Sequence, residues 1–277
     1  MEIRAYCKVN LALDVIGKRE DGYHELRMIM VPVNFYDDIK IEKNDTMVYE
    51  CTKGRMYFDS SNTIVKAVEI MKEEFGIEDN FKVSIAKHLP MKAGLAGGST
   101  DGAAIIRAIN KMYKLNLGAE KIKELCLKIG ADVLFNYYSK PALVEGLGDK
   151  LTFIDIKDDY YILIVKPRGG VSTKECYGSL DLNNAVHPDV DTILEKLKNG
   201  EEVKDLLSNT LEKPAIELCR EIRNAKEDLI KAGADFAMVS GSGSSVFTID
   251  KDEKKILELR EKLRGKPYFI RSSKLLK

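Results

Sequence analysis

The sequence predicts an α+β chain built as two lobes, and three observations carry that prediction. Strand-like and helix-like hydrophobic patterns alternate from end to end, with no internal repeat and no low-complexity segment. At 277 residues the chain is long enough for two ordinary domains. Two glycine-rich loops, one in each half, interrupt the regular patterns. The boundary is placed between 155 and 156, giving domains 1–155 and 156–277.

Residues 2–16 and 23–35 read as two strands joined by the turn GKREDG. Shorter strands follow at 37–43, 47–52 and 81–87. A helix lies between them at 62–75, with Asn62 placed to cap it. Helices at 99–113 and 119–129 come next, then strands at 141–145, 151–155 and 160–166. The second half carries helices at 189–198, 203–208 and 213–232. It closes with a strand at 236–239, the loop SGSGS, a strand at 245–249, a helix at 252–263 and a strand at 267–272. In the first strand Val9, Leu11, Leu13 and Val15 alternate with Lys8, Asn10, Ala12 and Asp14, so Lys8 and Asn10 share one face. Periodicity alone reads that face as half-solvated; the functional reading is that it lines a cleft.

Composition limits the function. The 44 basic and 44 acidic residues balance, which gives no electrostatic case for a nucleic-acid partner. No apolar run reaches the length of a membrane span, and the N-terminus lacks the pattern of a secretion signal. Five cysteines, Cys7, Cys51, Cys126, Cys176 and Cys219, lie far apart with no C-x-x-C spacing, and there are three histidines. That reads as reduced thiols in a cytoplasmic protein rather than a disulfide framework or a zinc site.

The strongest signal is PMKAGLAGGSTDGAA, residues 90–104. Glycines fall at Gly94, Gly97, Gly98 and Gly102, directly ahead of a helical pattern. A helix N-terminus offers unpaired N–H groups and partial positive charge, and glycines let a ligand approach the backbone. Together they suggest a phosphate site. No G-K-[ST] closes the loop, so it is not a Walker A loop, and the glycine spacing does not fit a dinucleotide fingerprint. Ser99 or Thr100 could cap the helix or donate to phosphate oxygens, and Ser99 could touch a magnesium ion. Asp132 in GADVLFN stands among apolar neighbours; a partly buried carboxylate needs a partner, and Lys8 is the candidate. Taken alone, VSGSGSSVF reads as a hairpin turn, and Tyr23 and His24 in DGYHEL read as strand-edge residues.

These segments together, KVNLAL, DGYHEL, P-x-x-A-G-L-x-G-G-S, GADV and the late SGSG loop, occur in an order that closely resembles the GHMP kinases. EGLGDKL, Glu145–Leu151, adds to the match, and the resemblance spans nearly the whole chain. It implies an N-terminal domain like ribosomal protein S5 and a ferredoxin-like C-terminal domain. It implies an ATP-dependent kinase, monomeric or homodimeric, with ATP and Mg2+ as cofactors. The alcohol substrate it implies is a methylerythritol linked to cytidine diphosphate, with no nucleic-acid or membrane partner. Lys87 and the run Pro90, Met91, Lys92, Ala93, Gly94, Leu95, Ala96, Gly97, Gly98, Ser99 and Thr100 would bind ATP. Asp132 would be the general base and Lys8 its partner. Asn10, Tyr23, His24, Tyr177, Gly241, Ser242 and Gly243 would hold the substrate, with Tyr177 against the cytosine.

The chain departs from the family pattern at Thr210, where an acid is common, at Leu134, where proline is commoner, and at Gly102, where alanine is usual. The chemistry suits the residues independently. Phosphoryl transfer needs positioning and charge stabilisation, and a carboxylate can take the proton of an attacking alcohol. Two alternatives stay open: a GHMP kinase acting on another alcohol, and a non-catalytic RNA-binding module.

Overall fold

A computed structural model describes all 277 residues. They form two compact units, one of Met1–Cys7, Phe35–Leu89 and Ala96–Ser139, the other of Lys8–Asn34, Pro90–Leu95 and Lys140–Lys277. Two long strands, β1 (Glu2–Lys18) and β2 (His24–Asn44), supply residues to both units.

In the first unit β3 (Val48–Lys53) pairs parallel with β4 (Asn80–Ala86), and β4 pairs antiparallel with Asp38–Asn44 of β2. Ile39, Ile41, Phe81, Val83 and Ile85 are buried along these strands. Four helices complete the unit: α1 (Thr63–Phe75), α2 (Gly97–Met112), α3 (Ala119–Ile129) and α4 (Val133–Tyr138). The Asn62 side chain accepts from Ile64 N at 2.9 Å, the cap expected for α1. Ile64, Val65, Val68 and Met71 then form its buried stripe. Gly102 lets α2 press on α1, because a Cβ there would lie 3.1 Å from both Thr63 Cβ and Thr63 O. This accounts for glycine at a helix-interior position where it otherwise costs about 1 kcal/mol.

The second unit holds the hairpin between β1 and β2, closed by the Arg19 N–Tyr23 O bond at 2.8 Å. Strand β5 (Ala142–Gly146) pairs antiparallel with Leu26–Met30, and β6 (Lys150–Phe153) pairs with β5. A separate four-stranded antiparallel sheet comprises β7 (Tyr161–Lys166), β8 (Met238–Val239), β9 (Val246–Asp250) and β10 (Phe269–Lys274), ordered β10–β7–β9–β8. The near-continuous apolar runs YILIVK and VFTID occupy its two central positions, where both faces are covered. The helices are α5 (Thr173–Gly178), α6 (Val190–Asn199), α7 (Glu212–Leu218), α8 (Arg220–Ala232) and α9 (Glu253–Lys262). Helices α8 and α9 pack on the central strands, through Ile222, Ala225 and Leu229 of α8 and Ile256 and Leu259 of α9. The α+β expectation holds.

Some elements differ from the sequence reading. The expected strands 23–35 and 37–43 are one strand, because the chain runs through Asp37 with that side chain fully buried. The helix expected at 213–232 breaks at Cys219, which leaves helical backbone at φ −140°, ψ 94°. Helix α5 was not expected, although Ser172 and Glu175 have the spacing of a capping box, and the Ser172 side chain caps it. All five cysteines are free, and burial pushes the Cys126 and Cys176 thiols up to about 12, which keeps them unreactive. No helix is long and apolar enough to cross a membrane.

Candidate active site

In the first unit the glycine loop opens α2 two residues earlier than the pattern suggested. Ala96 takes a left-handed conformation at φ 57°, and Gly97 and Gly98 form the first turn. No side chain caps this end. The N–H groups of Gly97, Gly98 and Ser99 therefore have no helical partner, and Gly98 is exposed. The Thr100 hydroxyl is spent elsewhere: it donates to Tyr6 O at 2.6 Å and is buried. Of the two hydroxyls considered, only half-buried Ser99 stays at the open N-terminus. That arrangement suits anionic oxygens and the positive end of the helix dipole.

Lys87 is held by two buried carboxylates. Its ammonium lies between Asp37 Oδ2 at 2.5 Å and Asp101 Oδ2 at 2.6 Å, with the Lys87 side chain 7% exposed. The ammonium has a third donor, and Gly97 O at the start of α2 lies 3.5 Å from it. Burial lowers the Lys87 pKa, but the two carboxylates outweigh it and hold the ammonium above its ordinary value. Burial drives the Asp101 carboxyl well above the usual range; Lys87 opposes that shift and Asp37 adds to it. Asp37 Oδ1 also accepts from His88 N at 2.5 Å and Leu89 N at 2.8 Å. The cluster thus ties the strand end at 87–89 to the second turn of α2. Lys87→Met should destabilise the chain by about 3–5 kcal/mol, because it strands two buried acids. Urea unfolding measures it, and a loss under about 1 kcal/mol would show that the cluster is not a clamp.

Asp132 is half-buried at the N-cap position of α4, and its carboxylate makes no capping bond to the helix. Its backbone carbonyl accepts from Asn136 N at 3.1 Å and Asn136 Nδ2 at 2.7 Å. The last turn of α4 is held by Arg107, whose Nη1 donates to Asn136 O at 2.8 Å and Tyr137 O at 3.0 Å. Arg107 Nη2 reaches Arg4 O at 2.9 Å. Sequence reasoning missed Arg107; its one signal is a lone arginine inside the apolar run AAIIRAI.

In the second unit Lys8 and Asn10 share a face of β1, as alternation required. Lys8 Nζ donates to Asn10 Oδ1 at 2.7 Å, and Asn10 Nδ2 donates to Met28 Sδ at 3.4 Å. The half-solvated reading of that face is overturned, since Lys8 is 4% exposed and Asn10 fully buried. What covers them includes the SGSG loop. A Cβ at Gly241 would lie 3.5 Å from Lys8 Nζ and 3.7 Å from Asn10 Oδ1. The same loop binds residues 92–94 backbone to backbone: Ser245 N donates to Ala93 O at 3.1 Å and Ser244 N to Lys92 O at 3.4 Å. Ser240 Oγ donates to Gly94 O at 3.0 Å, while the Ser242 hydroxyl pairs with that of Thr173 at 3.0 Å.

Asn209, also unforeseen, fixes this loop from behind, donating to Val239 O and Gly241 O at 2.8 Å each. The signal was available in the motif Asn209-Thr210-Leu211-Glu212, but nothing in it named its partner. The ring facing Tyr177 is His24, with centroids 5.1 Å apart and planes 36° apart. Tyr23 instead stands 65% exposed in the hairpin turn. Burial and nearby Lys18 pull the His24 pKa down, which keeps the ring neutral at pH 7.

Two family models match: the GHMP kinases N-terminal domain over residues 62–140 and the GHMP kinases C-terminal domain over residues 185–268. The 4-diphosphocytidyl-2-C-methyl-D-erythritol kinase of Clostridium beijerinckii is 41% identical over 256 residues, 91% of this chain and 91% of that protein. A crystal structure of 4-(cytidine 5'-diphospho)-2C-methyl-D-erythritol kinase matches with TM-score 0.85 and 27% identity, over 100% of both chains. Homoserine kinase from Cytophaga hutchinsonii matches with TM-score 0.75 at 17% identity, over 99% of this chain and 94% of that one, which shows a shared fold alone.

Proposed function

The chain belongs to the GHMP kinases and, within them, to the 4-diphosphocytidyl-2-C-methyl-D-erythritol kinase family, and we propose from that premise how its residues divide the work. It is an ATP-dependent kinase of non-mevalonate isoprenoid precursor synthesis. The phosphoryl group goes to the 2-hydroxyl of 4-diphosphocytidyl-2-C-methyl-D-erythritol. The other readings open from sequence, a kinase for a different alcohol and an RNA-binding module, have no support among the relatives.

The observation that carries the nucleotide half is the open N-terminus of α2. ATP phosphates lie against the N–H groups of Gly97, Gly98 and Ser99, with Pro90–Ala96 leading into that turn. Lys87 serves indirectly by clamping the strand end and α2. The structure gathers no three acidic, histidine or cysteine side chains that could hold a metal by themselves. Ser99 Oγ, at the open N-terminus of α2, is the residue that would contact Mg2+ bound together with the nucleotide. When bound, the ion neutralises charge on the triphosphate.

Asp132 accepts the proton of the 2-hydroxyl as its oxygen bonds to the γ-phosphorus and the bond to the leaving ADP oxygen breaks. Lys8 steadies negative charge on the transferring group, and Asn10 holds Lys8 and orients the alcohol. Gly241, Ser242 and Gly243 shape the wall beside Lys8. Tyr177 and His24 hold the cytosine, and Tyr23 closes over it from the hairpin turn. The division of labour assigns 1–155 to nucleotide and catalysis, with Asn10, Tyr23 and His24 also reaching the substrate, and 156–277 to substrate.

Tyr177→Ala tests the substrate half. The KM for the cytidine substrate should rise about 5- to 150-fold, the size of one lost stacking face of about 1–3 kcal/mol. The KM for ATP should stay within twofold of about its original value. A loss of ATP affinity with substrate affinity intact would reverse the placement of the two ligands.

A further inference from the structure

Tyr177 sits on a six-residue helix, α5, followed by a segment with almost no regular structure up to α6. The start of α5 is held by the Thr173–Ser242 hydroxyl pair and by buried Cys176, while the segment that follows Tyr177 has little regular structure of its own to fix the ring. Two charged links join that segment to the β1–β2 hairpin. His187 Nδ1 lies 2.6 Å from Asp14 Oδ1, and His187 Nε2 lies 3.2 Å from Leu182 O. Arg27 grips Asp191 of α6 with both terminal nitrogens, at 2.8 and 2.6 Å. The hairpin is the element that carries His24, and Asp14 lies on the face of β1 that also carries Lys8 and Asn10.

The two partners of the His187 ring are both acceptors, a carboxylate and a backbone carbonyl. A ring that satisfies both must donate from both nitrogens, which is the imidazolium form. The Thr210 hydroxyl, with one proton to donate, lies 3.2 Å from Asp14 Oδ1 and 3.1 Å from Val186 O, the residue before His187, and Thr210 N donates to Leu13 O at 2.9 Å. Here the departure from the family pattern has a use. Threonine puts a neutral hydroxyl between Asp14 and Val186 O, where an ionised acid would repel both oxygens.

From this geometry we infer that His187 is a positioning residue: through Asp14 it latches the α5–α6 segment to the hairpin, so that Tyr177 is presented opposite His24. The inference rests on the proposed role of Tyr177 and His24 at the cytosine.

Asp14 is the charged group facing the ring. Of the neighbouring acids, Asp181 is engaged by Asn183 N and Asn184, Asp189 by Thr192 and Asp191 by Arg27. The hydrogen bond to Asp14, then that to Leu182 O, holds the His187 pKa above its ordinary 6.5. The latch is therefore complete below that pH and is lost as pH rises through the raised value. His24 is shifted the other way, so its titration falls on the acid side and stays separate.

The experiment follows KM for the cytidine substrate and for ATP from about pH 6.5 to about pH 9. In the native chain the substrate KM should rise about two- to fivefold, the size of a partly exposed ion pair, with ATP's KM level. His187→Gln and Asp14→Asn should each give a substrate KM that starts high and no longer varies over that range. Nitrogen NMR of the ring should show both nitrogens protonated at the acid end, with the signal assigned by its loss in H187Q. A native substrate KM that is flat with pH, or an H187Q variant that keeps the native pH dependence, would overturn the latch alone. An unchanged substrate KM in Tyr177→Ala would overturn the cytosine reading and the latch with it.

Discussion

Asp132→Asn should lower kcat about 10²–10⁴-fold and leave ATP affinity close to native, the loss typical of removing a general base. The amide is nearly the same size as the carboxylate but cannot accept the alcohol proton. Local structure should survive, because the isosteric amide keeps the backbone bonds that start and end α4. The helix start uses the Asp132 carbonyl, which the substitution leaves in place, and the last turn is held by Arg107. Stability measured by urea should therefore change by less than about 1 kcal/mol. Equilibrium nucleotide titration separates binding from chemistry. Native turnover in a folded Asn variant would remove Asp132 from the role of base.

Gly94→Ala should cost about 2–5 kcal/mol and take most of the activity with it, combining a left-handed backbone penalty with a hard clash. Gly94 sits at φ +72°, and a Cβ there would come within 1.9 Å of Ser240 O and 3.1 Å of Gly243 N. Both are backbone atoms, so no side chain can rotate away. The clash would drive the 92–94 strip off the SGSG loop and break the bonds from Ser240, Ser244 and Ser245. Gly241 covers Lys8 and Asn10, so that face of β1 would open with it. Thermal unfolding and kcat/KM measured together check this. A variant with native stability would mean that the two loops are not packed as described.

The sequence carried the alternation that places Lys8 beside Asn10, the Asn62 cap and the approach of glycines to a helix start. Those depend on local period and residue type, which one sequence displays. What it did not carry depends on burial and distant partners. The sequence reading breaks the strand at Tyr36, just ahead of Asp37 and Asp38 in FYDDIK. Only the tertiary fold shows Asp37 buried on Lys87 and the strand continuous. The start of α2 was placed late because glycine is a poor helix former, yet Gly97 and Gly98 are helical there. The break at Cys219 has no local mark at all. Asn209 and His187 were legible as residues but not as links, since their partners are far away in sequence.

The central claim is the identity of the alcohol. The direct measurement incubates the protein with ATP, Mg2+ and 4-diphosphocytidyl-2-C-methyl-D-erythritol and follows ADP release. Mass spectrometry and phosphorus NMR of the product then locate the new phosphate. The account predicts stoichiometric ADP and one product phosphorylated at the 2-hydroxyl, with homoserine and mevalonate turned over at least about 10³-fold less efficiently, because neither offers a base for Tyr177 and His24. Turnover of homoserine or mevalonate without turnover of the cytidine substrate would contradict it.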